Sequence, residues 1–141
     1  MVDVSAKPVT VREAVARGRI TIAPAAMRLI RSGRLRKGGV VEVARIAGIQ
    51  AAKRTAGTIP LCHPLPLTHV DVDLHARRDG FAIEARVRTE ARTGAEMEAL
   101  HAVAVAALTV YDMVKAADER MTIGDVRLVR KSGGTSGRFS A

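Results

Sequence analysis

Residues 70–88 constrain the fold more than any other stretch. Val70, Val72 and Leu74 alternate with Asp71, Asp73 and His75, and Phe81, Ile83, Ala85 and Val87 alternate with Ala82, Glu84, Arg86 and Arg88. A period of two puts the apolar members of each run on one face, and Arg77-Arg78-Asp79-Gly80 between them supplies the Asp-Gly turn of a hairpin. The chain therefore contains antiparallel sheet with one face to bury.

The remaining patterns supply the cover. Residues 94–118 carry the strongest helical signal, with Met97, Leu100, Ala104, Ala107, Leu108 and Tyr111 on one stripe. Val40, Val43, Ala44, Ala47, Ala51 and Ala52 predict a small-residue helix over 40–55, ending near Lys53-Arg54, in which Gly48 weakens the helix but permits close packing. Pro24 suits the first turn of a short helix through Met27, Leu29 and Ile30 that stops at Ser32-Gly33, before the basic turn Arg34-Leu35-Arg36-Lys37-Gly38-Gly39. Residues 13–22 end in an alternation that reads as a first strand, with a helical turn as the alternative at their opening. Met121, Ile123, Val126, Leu128 and Val129 predict a last strand over 121–129, interrupted by Gly124. Gly57, Pro60, Pro64 and Pro66 exclude regular structure from 57–66 and imply a rigid loop. Strand, helices, hairpin, long helix and strand in that order give an α+β sandwich, an antiparallel sheet covered on one face by helices. With no internal repeat and no linker, residues 1–141 are expected to form one domain, with 131–141 a flexible tail closing on the site.

Charge narrows the function. The chain has 23 Lys and Arg against 14 Asp and Glu, a formal net charge of +9, which favours an anionic partner: nucleic acid, a membrane surface or a polyphosphate. Single-strand binding usually stacks bases on aromatic rings, and only Phe81, Tyr111 and Phe139 are available. A basic nucleic-acid-binding module is thus the alternative reading, supported by charge alone. The N-terminus lacks the apolar core of a signal peptide and no stretch approaches the length of an uninterrupted apolar span, so no membrane partner is expected. Cys62 is the sole cysteine, which excludes an internal disulfide and fits a reducing cytoplasm.

Several residue groups can carry chemistry. Ile59-Pro60-Leu61-Cys62-His63-Pro64 fixes a thiol and an imidazole between prolines, so His63 can serve as acid, base or phosphate donor, or Cys62 can simply pack inward. Adjacent Cys and His seldom share a metal, which argues against zinc. Asp112 and Lys115, three apart on a helix, share a face. They can move a proton, the lysine kept partly neutral by burial or neighbouring cations, or they can form an ordinary surface ion pair. Thr93-Gly94-Ala95-Glu96 fits a capping box. Glu98 in the first helical turn answers the helix dipole or reads the donor edge of a purine or pterin. Lys37, Lys53 and Lys131 are solvated lysines singly and a triphosphate set jointly. There is no GxxxxGK[ST] pattern, and no cofactor or metal is expected.

Over nearly its whole length the chain resembles the MoaC family, the cyclic pyranopterin monophosphate synthases. The resemblance is carried by Met1–Lys7, Thr10–Ala14, Ala44–Thr55, Ile59–Leu65, Thr93-Gly94 with Glu96–Leu100, Ala106–Met113, and Lys131–Gly134 with Ser136-Gly137. Chance does not supply so many stretches in order. The family's catalytic aspartate falls on Asp112, its helical catalytic lysine on Lys115 and its basic-loop lysine on Lys37. Its substrate contacts fall on Leu61, Cys62, His63, Met97 and Glu98, with Glu96 beside them, and Lys53, Lys131 and Arg12 match further site positions. The family often has a tryptophan and an acidic residue where this chain has Ala56-Gly57, a departure that bears on the packing beneath the loop and not on the chemistry.

The resemblance implies a ferredoxin-like α+β fold and a hexamer built as a trimer of dimers, with sites at the dimer interface. It also implies a small-molecule substrate, (8S)-3',8-cyclo-7,8-dihydroguanosine 5'-triphosphate (a cyclised GTP), and release of diphosphate. Geometry supports a shared site independently. Glu98 and Asp112 are 14 residues apart, about 21 Å along one helix at about 1.5 Å per residue. A small nucleotide does not readily touch both ends, so two functional ends imply that symmetry-related subunits each supply one.

Overall fold

The protein was described from a computed structural model covering residues 1–134, 137 and 139–141. Its elements in chain order are β1 (Thr10–Thr21), α1 (Pro24–Arg31), α2 (Val40–Lys53), α3 (Thr55–Thr58), β2 (Leu67–Arg77), β3 (Gly80–Ala91), α4 (Glu96–Val114), β4 (Thr122–Ser132) and β5 (Phe139–Ser140). The sheet runs β2-β3-β1-β4-β5, every neighbour antiparallel. Strands two apart, such as β1 and β2, are therefore parallel and joined through helices. This α+β arrangement has the β-α-β-β-α-β order of the ferredoxin-like fold, with β5 added at one edge.

The expected hairpin is present and longer than its alternating core, and the opening of the first strand is extended rather than helical. Ala14, Ala16 and Ile20 of β1, Val72 of β2 and Phe81, Ile83, Ala85 and Val87 of β3 form the covered face; Glu13, Arg17, Glu84, Arg86 and Arg88 occupy the open one. Small residues let the helices approach closely. A Cβ on Gly48 of α2 would lie 2.9 Å from the Ala102 carbonyl oxygen of α4 and 3.1 Å from Val72, so α2, α4 and β2 meet where only a hydrogen fits.

Several expectations are corrected. The long helix covers Glu96–Val114, not 94–118, and its N-cap is Ala95 with no side-chain cap, so the Thr93–Glu96 capping box does not form. Glu96 instead reaches Lys131, a stronger charged partner. The stripe meets the core only in part: Ala107 is buried and Leu100 and Tyr111 pack against the core, but Met97 and Leu108 are 38% and 58% exposed, and the helix buries Ala99, Ala102, Val103, Ala106, Val110 and Val114 instead. The helix is apolar all round, and larger side chains on its outer side masked the alanine-rich face that packs on the sheet. In the stretch expected to lack regular structure, Gly57 and Thr58 belong to the helical turn α3, which forms because buried Thr55 donates its hydroxyl to the Ala51 and Ala52 carbonyls and proline enters only at Pro60. The expected interruption of the last strand at Gly124 is present. It marks a register shift opposite Arg17–Arg19, and Asp125 absorbs the irregularity at φ 55°. Finally, β4 continues through Ser132 and is paired by β5 at Arg130 and Lys131, so the residues expected to open a tail are strand; residues 135, 136 and 138 lie outside the described residues.

By length and composition α4 could cross a membrane, but half of its apolar stretch is buried within the fold.

Candidate active site

Two groups of the expected residues form, one at each end of α4. At the C-terminal end, α4 presents Asp112 and Lys115 on one side of its last turn, and the turn between α1 and α2 brings Lys37 to them. Lys37 Nζ lies 2.6 Å from Asp112 Oδ2 and donates at 3.0 Å to the Asp112 carbonyl; Lys115 Nζ lies 2.9 Å from Asp112 Oδ1. Hydrogen bonds from Lys37 and then Lys115 hold the Asp112 carboxyl down at about 2. The Asp112 hydrogen bond in turn raises Lys115. The expected partly neutral lysine is thus not found: Lys115 is exposed, faces a carboxylate and is held protonated. These three line a cavity of about 520 Å³ with Leu29, Arg34 and Arg36.

Asp118 steadies this end. Its carboxylate accepts from the Ala23 amide at 2.7 Å and the Arg120 amide at 3.0 Å, which ties the entry of α1 to the exit of α4. Both segments that carry the cluster start from that anchor. Its role was not legible in the sequence, because the partners are 95 residues apart.

At the N-terminal end of α4, the 59–65 loop and the helix start enclose a second cavity of about 410 Å³ lined by Leu61, Cys62, His63, Gly94, Glu96 and Met97, among others. Leu61 is 73% exposed. Beneath them Glu98 is only 2% exposed; its Oε1 accepts from Cys62 Sγ at 3.8 Å, and its Oε2 has no partner among the described residues. Burial pushes the Glu98 carboxyl above its ordinary range, and burial followed by the Glu98 charge raises the Cys62 thiol. Cys62 is accordingly a packed thiol donor and not an activated nucleophile.

Lys131 on β4 reaches Glu96 Oε1 at 3.2 Å. Arg12 on β1 donates Nε to the Ala91 carbonyl at 3.0 Å, and its guanidinium is covered by the Gly133-Gly134 turn, where a Cβ on Gly134 would overlap it. Lys53, exposed at the end of α2, makes no hydrogen bond or ion pair among the described residues. Arg92 was not singled out from the sequence: it donates to the Ser5 and Lys7 carbonyls, holding the N-terminal segment, in which the Ser5 amide donates to Asp3 and lowers its carboxyl. Among the described residues no three His, Cys, Asp or Glu side chains converge as metal ligands do.

The arrangement offers two lysines around an ionised carboxylate at one end, and at the other a cavity over a buried carboxylate, with Lys131 held beside it by Glu96. The fourteen residues from Glu98 to Asp112 keep the two about 21 Å apart within one chain.

Comparison with known proteins finds related sequences. The family model described as "MoaC family" matches residues 1–134. The chain is 61% identical over 141 residues to the cyclic pyranopterin monophosphate synthase of Thermomicrobium roseum, covering 99% of this chain and 85% of that one. It is 57% identical to the synthase of Parvibaculum lavamentivorans, over 100% of this chain and 89% of the relative. The corresponding figures for the Heliobacterium modesticaldum synthase are 56%, 99% and 89%.

Proposed function

From the chain's membership of the MoaC family we propose that it converts (8S)-3',8-cyclo-7,8-dihydroguanosine 5'-triphosphate to cyclic pyranopterin monophosphate, releasing diphosphate, in molybdenum-cofactor biosynthesis. The observation that carries this reading is the Lys37–Asp112–Lys115 cluster. Two ammonium groups and a carboxylate in mutual contact can give and take protons while the purine ring is opened and rebuilt. Lys115, held protonated by Asp112, starts as an acid; Lys37 shares the same carboxylate and can relay.

Substrate binding falls to the other group. Lys131, Lys53, Arg12 and His63 supply cations and donors for the triphosphate, and diphosphate leaves when a ribose hydroxyl attacks the α-phosphate. Glu98 accepts hydrogen bonds from the donor edge of the base through the oxygen that lacks a partner, while Leu61, Cys62, Met97 and Glu96 shape the cavity around it.

Because the two groups stand at opposite ends of α4, each site is completed by the acid–base group of a second copy, in a hexamer built as a trimer of dimers in the cytoplasm. One domain spans residues 1–141. The nucleic-acid reading has only the net charge in its favour, and Arg17, Arg19, Arg88 and Arg130 on the sheet's open face are tied to Glu84, Asp125 and Glu13. Incubation with the cyclised nucleotide and mass detection of the cyclic pyranopterin tests the proposal; absence of product from folded protein would overturn it.

A further inference from the structure

A carboxylate stands beside the place proposed for phosphate. Glu96, in the first turn of α4, lines the cavity of about 410 Å³ together with Cys62, His63 and Met97. A phosphate chain entering that cavity meets a like charge, which opposes binding unless something compensates it. The compensation is Lys131, whose Nζ lies 3.2 Å from Glu96 Oε1. Lys131 is not itself among the described residues that line the cavity, so it reaches that space through this carboxylate.

The two partners differ in freedom. Lys131 belongs to β4 and is paired with Ala14 of β1 on one side and Phe139 of β5 on the other, so its backbone is fixed and its side chain is the part that can turn. Glu96 folds back over Gly94, where a Cβ would overlap its carboxylate. Bare backbone at that point lets the carboxylate lie against the cavity rim. Both side chains are 31% exposed, open enough for the pair to be exchanged. The Glu96 charge also reaches the cavity floor: behind burial, it is among the lesser causes that raise the Cys62 thiol and the Glu98 carboxyl.

An ion pair this exposed shifts an equilibrium by only about a fewfold. A phosphate chain with several charges can therefore take the lysine from Glu96, and can lose it again. Lysine binds phosphate as a point charge on a flexible stem, so turning it from carboxylate to phosphate needs no change of backbone. The proposed reaction sheds diphosphate and leaves one phosphate esterified twice, which carries far less charge than the triphosphate it came from. As the diphosphate loosens, Glu96 is the competitor already in place for its lysine.

We propose that Glu96 is a latch for Lys131, which holds the lysine at the cavity rim in the free protein, yields it to the polyphosphate of the substrate and takes it back as diphosphate leaves. The inference rests on the phosphate binding proposed above for this end of α4, and it gives Glu96 a part in phosphate release beyond shaping the cavity.

Inorganic diphosphate is the probe, titrated into the protein by calorimetry without turnover. Glu96→Gln keeps the length of the side chain and an acceptor for Lys131 and removes the charge alone. It should bind diphosphate about three- to tenfold more tightly than the natural protein, the effect of a weakened ion pair and one like charge fewer. Most of that gain should appear as slower dissociation, and in turnover as a lower KM with a lower kcat. Lys131→Gln should bind diphosphate more weakly. Glu90→Gln removes an exposed carboxylate of β3 that makes no ion pair among the described residues, and should leave the affinity unchanged, which controls for net charge. Circular dichroism confirms that each variant is folded. Unchanged or weaker binding by folded Glu96→Gln would mean that the carboxylate only positions Lys131, and it overturns the latch. So do equal tightening by Glu90→Gln, binding indifferent to Lys131→Gln, and no diphosphate binding by the natural protein. If Glu96→Gln tightens diphosphate but the natural protein makes no cyclic pyranopterin, the enzymatic reading fails and the latch stands; normal turnover without tightening gives the reverse.

Discussion

Replacing Glu98 by glutamine should stabilise the protein at neutral pH while damaging its activity. Glu98 is the most deeply buried carboxylate among the described residues, with one oxygen bound only by a thiol and the other unpartnered. A buried group left unsatisfied costs about 1–3 kcal/mol, more when charged. Glutamine keeps the shape and an acceptor for Cys62 but leaves amide hydrogens unmet and gives up about 0.3–1 kcal/mol of helix-dipole attraction. A net gain of about 1 kcal/mol remains, or about 3 °C in Tm for a domain of this size. The sign with pH is fixed. A carboxyl whose folded pKa is raised contributes its full stability below the unfolded value, near 4.5, and loses it as pH rises through the folded value. The two proteins should therefore melt together in the acid range and diverge toward pH 7. Thermal unfolding from pH 4 to 8 measures this, and turnover should fall in parallel because the amide offers hydrogens where the base offers its own. A lower Tm at pH 7 for Glu98→Gln would mean that the carboxylate serves the helix dipole and is not kept for substrate.

Three other outcomes are expected. Lys37→Ala and Lys115→Ala should each lower turnover by roughly two to four orders of magnitude, with little change in Tm because both pairs are exposed; near-normal product formation removes that residue from the mechanism. In Asp112→Asn the alkaline limb of the pH–rate profile should move to lower pH, since Asp112 is what raises Lys115; an unmoved limb shows that Lys115 is not the group titrating. Asp112→Ala and Glu98→Ala should each be nearly inactive alone, yet refolding them together should return up to about half of the natural turnover per mixed dimer, and no recovery with subunit exchange confirmed counts against the shared site.

The hairpin, the covered sheet and the two main helices were legible because residues 70–88 and 40–55 carry clean periods of two and about 3.6. The residues of the candidate site were singled out in the sequence, but not their geometry. Its members lie far apart in the chain, and neither the reach of Lys37 across 75 residues to Asp112 nor the anchoring of Ala23 by Asp118 has a local signature. The capping box failed because a local rule competed with a distant charge, Lys131. The stripe on α4 misled for a related reason: side-chain size marks an apolar face without saying whether it meets this chain or another.

The ends of α4 differ chemically in a way that follows from the helix itself. Its last carbonyls have no partner within the helix, and the Asp112 carbonyl takes Lys37 Nζ in addition to the side-chain contact. Partial negative charge from the helix end and full charge from the carboxylate act together there, which draws two lysines to one point. The first turn has the opposite polarity and unsatisfied amides, so it favours anions, and Lys131 and Arg12 reinforce that preference. Glu96 and Glu98 stand in the same turn; one is neutralised by Lys131, and the other is buried beneath the cavity, out of the way of phosphate. On the proposed reading, proton donors belong to the C-terminal end and phosphate binding to the N-terminal end, and bringing both to one substrate would take the helices of two copies.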